Sequence, residues 1–350
     1  MEPNISKFQI LSLSGGGVRG LYTISVLATI EQSLADRHNR DDYNIAKHFD
    51  LISGTSIGGI LALGLASGLN ARHLCSLIDK NREKIFYKSR LRKMPFLSGF
   101  FGACKQSTTA LYDNMALKAV LEEALGSKKV SDLNTRVIIP AVNGTTGLPK
   151  IYKTSHHPKF DIDHKLHLVD VGMATSAAPT YFNPYLVDDR LMLDGGLIAN
   201  SPSLIAYHEA THFLGKKPND ISLLCVGTMG VQATLNSDRR INRWGYLTGW
   251  GVGRRLLDLT LSSNEGMHNL ITKQLLDDRF VELDEPNTPD QSKSITLDNA
   301  NKKAAQMLKG RGKDKGQYAL GMDNVMAFFE HIPGSVTFHK GGKPYEIQRS

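Results

Sequence analysis

The sequence predicts an α/β protein with a mostly parallel central sheet and helices on both faces. Short apolar runs of strand length alternate with longer stretches of helical apolar periodicity. Two of the strand-like runs pass through glycine-rich turns straight into helical pattern. The composition, 41% hydrophobic and 22% charged with 32 glycines in 350 residues, supplies a sizeable core. It also excludes collagen-like, disordered and coiled-coil classes.

The elements follow in order. Gln9–Ser14 alternates as a strand does, glycines follow, and Leu21–Leu34 has helical spacing. Phe49–Gly54 repeats the pattern, with a helix expected from about Ile57 to Leu69. The stretch Leu51–Ala71 is uncharged and long enough to cross a bilayer. Its content of Ser53, Gly54, Thr55, Ser56, Gly58, Gly59 and Gly64 fits a buried strand, tight turn and helix better. Val137–Val142 and Ile221–Val226 read as further buried strands, and Leu191–Asp194 as a shorter one. Val169–Ala178 reads as a helix stopped before Pro179, and Ser203–Leu214 as a helix ended by Gly215. Trp244–Leu276 has the pattern of a covering or interface helix. Residues 1–285 are expected to form the main domain, and 286–350 a C-terminal extension packed on or flanking it.

Cys75, Cys104 and Cys225 form no C-x-x-C pair, which fits a reducing compartment and neither a disulfide framework nor a zinc ribbon. Met1–Ile10 has no basic-then-apolar leader pattern, so a cytoplasmic protein is expected. The net charge of +8 is concentrated in two places, Lys80–Lys105 and Lys302–Gly316. The first is interleaved with Phe86, Tyr87, Phe96, Phe100 and Phe101, a composition suited to an anionic leaflet, to the phosphates of a nucleotide, or to a solvated loop over apolar core.

Gly54-Thr55-Ser56-Ile57-Gly58 matches the G-x-S-x-G elbow, a sharp strand-to-helix turn that exposes a serine oxygen. Gly15-Gly16-Gly17-Val18-Arg19-Gly20 also satisfies G-x-G-x-x-G, but no acidic residue stands at the end of the next strand to hold a ribose. The other use of such a loop is electrostatic, since glycine amides at a helix N-terminus stabilise a developing oxyanion. The Ile57 amide would add a donor, and Arg19 either adds positive charge or pairs with a carboxylate. Asp194-Gly195-Gly196 supplies a carboxylate for a Ser–Asp dyad, provided that burial lifts its pKa. A Ser–Asp–His order with His268, His331 or His339 stays open at this point. His208-Glu209-Ala210-Thr211-His212 is a literal H-E-x-x-H, but Pro218 occupies the place of a third histidine.

In this order and on these elements, Gly15–Gly20, Gly54–Gly58 and Asp194–Gly196 resemble the patatin-like phospholipase family. Ala174–Phe182 and Asn200-Ser201-Pro202 extend the likeness, with Ser201 where a second asparagine is frequent. The resemblance covers roughly Phe8 to Leu283. It implies a three-layer α/β/α fold, a Ser56–Asp194 dyad without histidine, and an oxyanion hole from Gly15, Gly16, Gly17 and Ile57. Arg19, Gly54, Gly58, Gly195 and Gly196 would support it, with no metal and no catalytic cofactor. The substrate implied is the ester of a membrane phospholipid. Within the family the whole chain resembles the CapV-type effectors of bacterial anti-phage CBASS systems, phospholipases switched on by 3′,3′-cyclic GMP–AMP. That implies a dormant homo-oligomeric enzyme acting at the inner face of the cell membrane, with a basic-aromatic contact to lipid and no DNA or RNA partner. Arg90, Arg92, Arg239, Arg243 and Trp250 are the candidate nucleotide contacts, the arginines for phosphate and the ring for stacking. The alternatives are a ligand-binding protein with vestigial hydrolase motifs, or a zinc metalloprotease through His208, Glu209 and His212.

Overall fold

The computed structural model describes residues 8–87, 110–230, 254–285, 287, 295–340 and 343–348. Strand β1 (Phe8–Leu13) leads through a short turn of 3-10 helix (Gly17–Arg19) into α1 (Gly20–His38). Strand β2 (Leu51–Gly54) turns at Ser56 into α2 (Ile57–Ala66), followed by α3 (Ala71–Ile85) and α4 (Asn114–Leu125). Strands β3 (Arg136–Asn143) and β4 (Leu148–Lys153) precede α5 (Leu168–Thr175), β5 (Tyr185–Val187) and β6 (Arg190–Asp194). The turn after β6 opens α6 (Gly196–Ala199), then α7 (Ser203–His208), which runs on as a π-helical turn (Glu209–Phe213). Then come β7 (Ile221–Val226), α8 (Arg254–Leu276), β8 (Phe280–Leu283), α9 (Lys302–Ala319), α10 (Asp323–Met326) and the hairpin β9 (Val336–Lys340) and β10 (Lys343–Ile347).

The main sheet runs β5-β6-β3-β2-β1-β7-β8, with β4 also on β3. Strands β3, β2, β1, β7 and β8 are parallel to one another. The β5–β6 edge and β4 are antiparallel additions, so the sheet is mixed although its centre is parallel as expected.

Side chains alternate across this sheet with the period of two that a strand imposes. Phe8, Ile10, Leu51, Ile138, Leu223 and Cys225 enter one apolar cluster with Ala206, Ala210 and Leu276. Leu11, Leu13, Ile52, Val137, Ile139, Leu224 and Val226 enter the larger cluster on the opposite face, with residues of α1 to α5 and α9. Two cores separated by one sheet make the three layers, and each central strand is buried on both faces.

The uncharged stretch is strand β2, a turn and helix α2. No helix among the described residues is long and apolar enough to cross a membrane. The second basic cluster forms α9, which packs on α1. A Cβ at Gly312 would lie 2.6 Å from Tyr22 O, and one at Gly316 would lie 2.7 Å from Thr29 Cβ. Its charges are partly paired, Lys309 with Asp79 and Arg311 with Glu285.

Candidate active site

Ser56 caps the N-terminus of α2 with φ 55° and ψ −126°, a backbone conformation rare for a residue with a side chain. The turn is held from several sides. Ser56 N–H donates to Thr175 Oγ1 at 3.0 Å, and Thr175 Oγ1 itself donates to Pro140 O. The Thr55 hydroxyl donates to Ala199 O at 2.6 Å. The elbow glycines are required by contact: a Cβ on Gly54 would sit 2.1 Å from Gly58 O, and one on Gly58 2.3 Å from Leu13 O.

Asp194 ends β6, in register with Ala141 of β3. Its N–H donates to Ala177 O at 3.0 Å, and Gly195 N–H to Thr175 O at 3.1 Å. Thr175 therefore sits between serine turn and aspartate turn and bonds to both. Gly196 N–H donates to Asp194 Oδ1 at 2.7 Å, and Ser56 Oγ donates to Asp194 Oδ2 at 2.7 Å. The carboxyl is buried, which pushes its pKa up to about 6 against the opposing pull of those two donors. A buried carboxylate hydrogen-bonded to a serine hydroxyl and poised near neutrality is equipped to accept that hydroxyl's proton.

The glycine loop lies beside this pair. Of the four expected amide donors, Gly15 is redirected: its N–H donates to Asn200 O at 2.8 Å, because the loop has to be anchored to the rest of the fold. Gly15 is thus an anchor instead of an oxyanion donor. Among the described residues, the N–H groups of Gly16, Gly17 and Ile57 have no acceptor, and all three residues line the pocket that contains Ser56 and Asp194. A Cβ on Gly17, where φ is +58°, would lie 2.2 Å from Leu297 O, the acceptor of Val18 N–H. Arg19 is buried under the loop and its Nε donates to Gly16 O at 3.3 Å. Burial pulls its pKa down, opposed by Glu265, Asp258 and Asp284, so its charge answers those carboxylates.

From the dyad the pocket extends between apolar walls that include Ile60 and Leu117 on one side, Phe86 and Phe182, and Leu257 and Leu261 of α8. Such a lining accommodates a hydrocarbon chain and excludes water.

Other sequence candidates are not brought here. His268 Nδ1 pairs with Ser201 O, His331 Nε2 with Asp50, and His339 lies on the hairpin β9, so no histidine joins Asp194. Nor does H-E-x-x-H build a zinc centre. Glu209 is buried against His156 Nε2 at 2.9 Å and Lys153 Nζ at 2.5 Å, while His208 and His212 stack on each other. Among the described residues no set of three potential ligands is assembled. The reason is geometric: the π turn carries Glu209 into the interior, where a lysine compensates its charge. Arg90, Arg92, Arg239, Arg243 and Trp250 lie outside the described residues. Sequence reasoning passed over the bonding role of Thr175 and two residues of α8, Asn264 and Glu265, whose Asn264 Nδ2 donates to Gly196 O and whose Glu265 Oε2 accepts from Asn200 Nδ2. Thr175 was visible inside the Ala174–Phe182 segment; nothing local marks the other two.

The model of the family described as patatin-like phospholipase matches residues 11–207. A cGAMP-activated phospholipase of Vibrio cholerae is 38% identical, covering 94% of this chain and 96% of its own. One from Pseudomonas aeruginosa is 39% identical, covering 96% of each chain. One from Escherichia coli is 40% identical, covering 88% of each.

Proposed function

We propose, from the premise that this chain belongs to the patatin-like phospholipase family, that it hydrolyses membrane phospholipid esters with Ser56 and Asp194 and is switched on by 3′,3′-cyclic GMP–AMP. The observation that carries the catalytic half is the 2.7 Å bond from Ser56 Oγ to a buried carboxylate, both residues lining one apolar pocket. The activator half is supported by similarity over nearly the whole chain to three cGAMP-activated phospholipases.

In this reading an acyl chain lies in the apolar pocket with its ester carbonyl over Ser56. Asp194 accepts the Oγ proton as Oγ attacks the carbonyl carbon, and the amides of Gly16, Gly17 and Ile57 hold the oxyanion. Collapse breaks the bond to the glycerol oxygen, which leaves as an alcohol with the proton returned by Asp194. Water then attacks the acyl-serine, Asp194 takes its proton, and the fatty acid departs as Ser56 Oγ regains a hydrogen. Serine, aspartate and water balance both steps without a cofactor. The basic-aromatic segment Lys80–Lys105, of which 88–105 lie outside the described residues, meets the inner face of the cell membrane, and the enzyme is a homo-oligomer whose 286–350 extension packs on or flanks the 1–285 domain.

The test is fatty-acid release from vesicles of bacterial phospholipid, with and without 3′,3′-cyclic GMP–AMP, for the parent and Ser56→Ala. Release is expected only with the nucleotide and only with Ser56, falling by at least 1000-fold in the variant. Release without nucleotide removes the activator assignment and keeps the enzyme. Release that survives Ser56→Ala removes the dyad.

A further inference from the structure

Two consecutive residues of α8 reach both halves of the candidate site. Asn264 Nδ2 donates to Gly196 O at 2.7 Å, and its Oδ1 accepts from Asn200 N–H at 2.8 Å. Gly196 is the residue whose N–H holds Asp194 Oδ1, so Asn264 fixes the aspartate turn from behind. Glu265 Oε2 accepts from Asn200 Nδ2 at 2.7 Å. The same Asn200 amide reaches Gly15 O at 3.3 Å, while Asn200 O accepts from Gly15 N–H at 2.8 Å. One asparagine thereby clips Gly15 at both backbone groups and is itself clipped by Asn264 and Glu265.

The rest of that helix face keeps to the same neighbours. One and two turns earlier, Leu261 and Leu257 line the apolar pocket. One turn later, His268 Nδ1 pairs with Ser201 O at 2.8 Å, and Asn269 Oδ1 accepts from the Ser203 hydroxyl at 2.9 Å. Spacings of three and four put these residues along one stripe. A carboxylate partly withdrawn from water, as Glu265 is, is costly unless compensated, and its partners include the Asn200 side chain, which anchors the glycine loop, and the charge of Arg19.

We propose that Asn264 and Glu265 are positioning residues for the ester hydrolysis: through Gly196 and through Asn200 they hold the aspartate turn and the glycine loop in the mutual geometry that proton transfer and oxyanion binding require. The inference rests on the reading above. Donors displaced by about 1 Å from a developing charge lose much of their effect, at a cost of about 100-fold in rate. The residues touch neither substrate nor reacting atoms, so their loss should lower kcat and leave KM largely alone.

The experiment measures kcat and KM on phosphatidylethanolamine–phosphatidylglycerol vesicles with 3′,3′-cyclic GMP–AMP, together with Tm, for the parent, Ser56→Ala, Asn264→Ala, Glu265→Ala, Glu265→Gln and the exposed control Met267→Ala. Both alanine variants are expected to lose about 10- to 100-fold in kcat with KM within about threefold. Glu265→Gln keeps an acceptor for Asn200 and should recover kcat to within about fivefold of the parent, and Met267→Ala should match it. Parental kcat in a folded alanine variant overturns the proposal, as does a loss that Gln fails to recover or one that follows Tm with no split between kcat and KM. Should an alanine variant not fold, Glu265→Gln and Asn264→Ser, whose hydroxyl is too short for both bonds, decide on the same criteria. Activity that survives Ser56→Ala overturns the dyad reading and this inference with it. Ser56-dependent activity that stays parental in the α8 variants overturns the inference alone.

Discussion

At the scale of single residues, Asp194 carries the clearest consequence. In the proposed mechanism the base has to be ionised, and this carboxyl is raised to about 6, so activity is expected above that pH, and its loss as pH falls through it. The kcat/KM profile should drop about tenfold per unit below pH 6, and a flat profile down to pH 4.5 would contradict Asp194 as base. The stability sign is opposite to that of a salt-bridged carboxylate. The folded state holds this proton more tightly than the unfolded one, so stability declines as pH rises through the shifted pKa, at a cost on the order of 3 kcal/mol. Asp194→Asn is therefore expected to abolish activity while raising Tm at pH 8, readable by calorimetry beside the parent. Ser56 and Asp194 were legible because each lies in a short motif with glycines that contact requires. The diversion of Gly15 to Asn200 was not, since it depends on a partner 185 residues away.

At the scale of elements, α1, α2 and the strands β1, β2, β3 and β7 follow apolar periodicity, and their observed ends differ from the expected ones by a few residues. Helix α9 shows what periodicity conceals. Its run of lysines and glycines reads as low complexity, yet Gly312 and Gly316, one turn apart, let it approach the backbone of α1. Gly312→Val should force the helices apart and destabilise the fold by about 1–3 kcal/mol, seen as a lower urea midpoint with an unchanged m-value. An unchanged midpoint would mean that the two helices adjust without cost. H-E-x-x-H is the converse case, a motif whose helix turns its glutamate inward to Lys153 and His156.

At the scale of the molecule, the C-terminal segment is stitched into the main body. His331 Nε2 pairs with Asp50 Oδ2 at 2.7 Å, His48 Nδ1 with His331 O at 2.9 Å, and Tyr112 donates to Asp298 at 2.6 Å. Removing 286–350 would uncover the apolar flank of α1 and leave Asp50 without its histidine. A chain of 1–285 is expected to bind a hydrophobic dye and to unfold without cooperativity, whereas sharp cooperative unfolding would mark an independent domain. The sequence by itself determined the α/β class, the order of the central elements, the family and the two residues of the candidate dyad. These are written in local patterns: a period of two or 3.6, and glycines where a turn leaves no room for a side chain. Only the tertiary structure decided which loop amides are left without an acceptor, where the antiparallel edge joins, and that α8 bonds to Gly196 and Asn200 beside the candidate dyad. Those depend on hydrogen bonds between residues tens to hundreds of positions apart, whose partners are chosen by packing and leave no local mark in the chain.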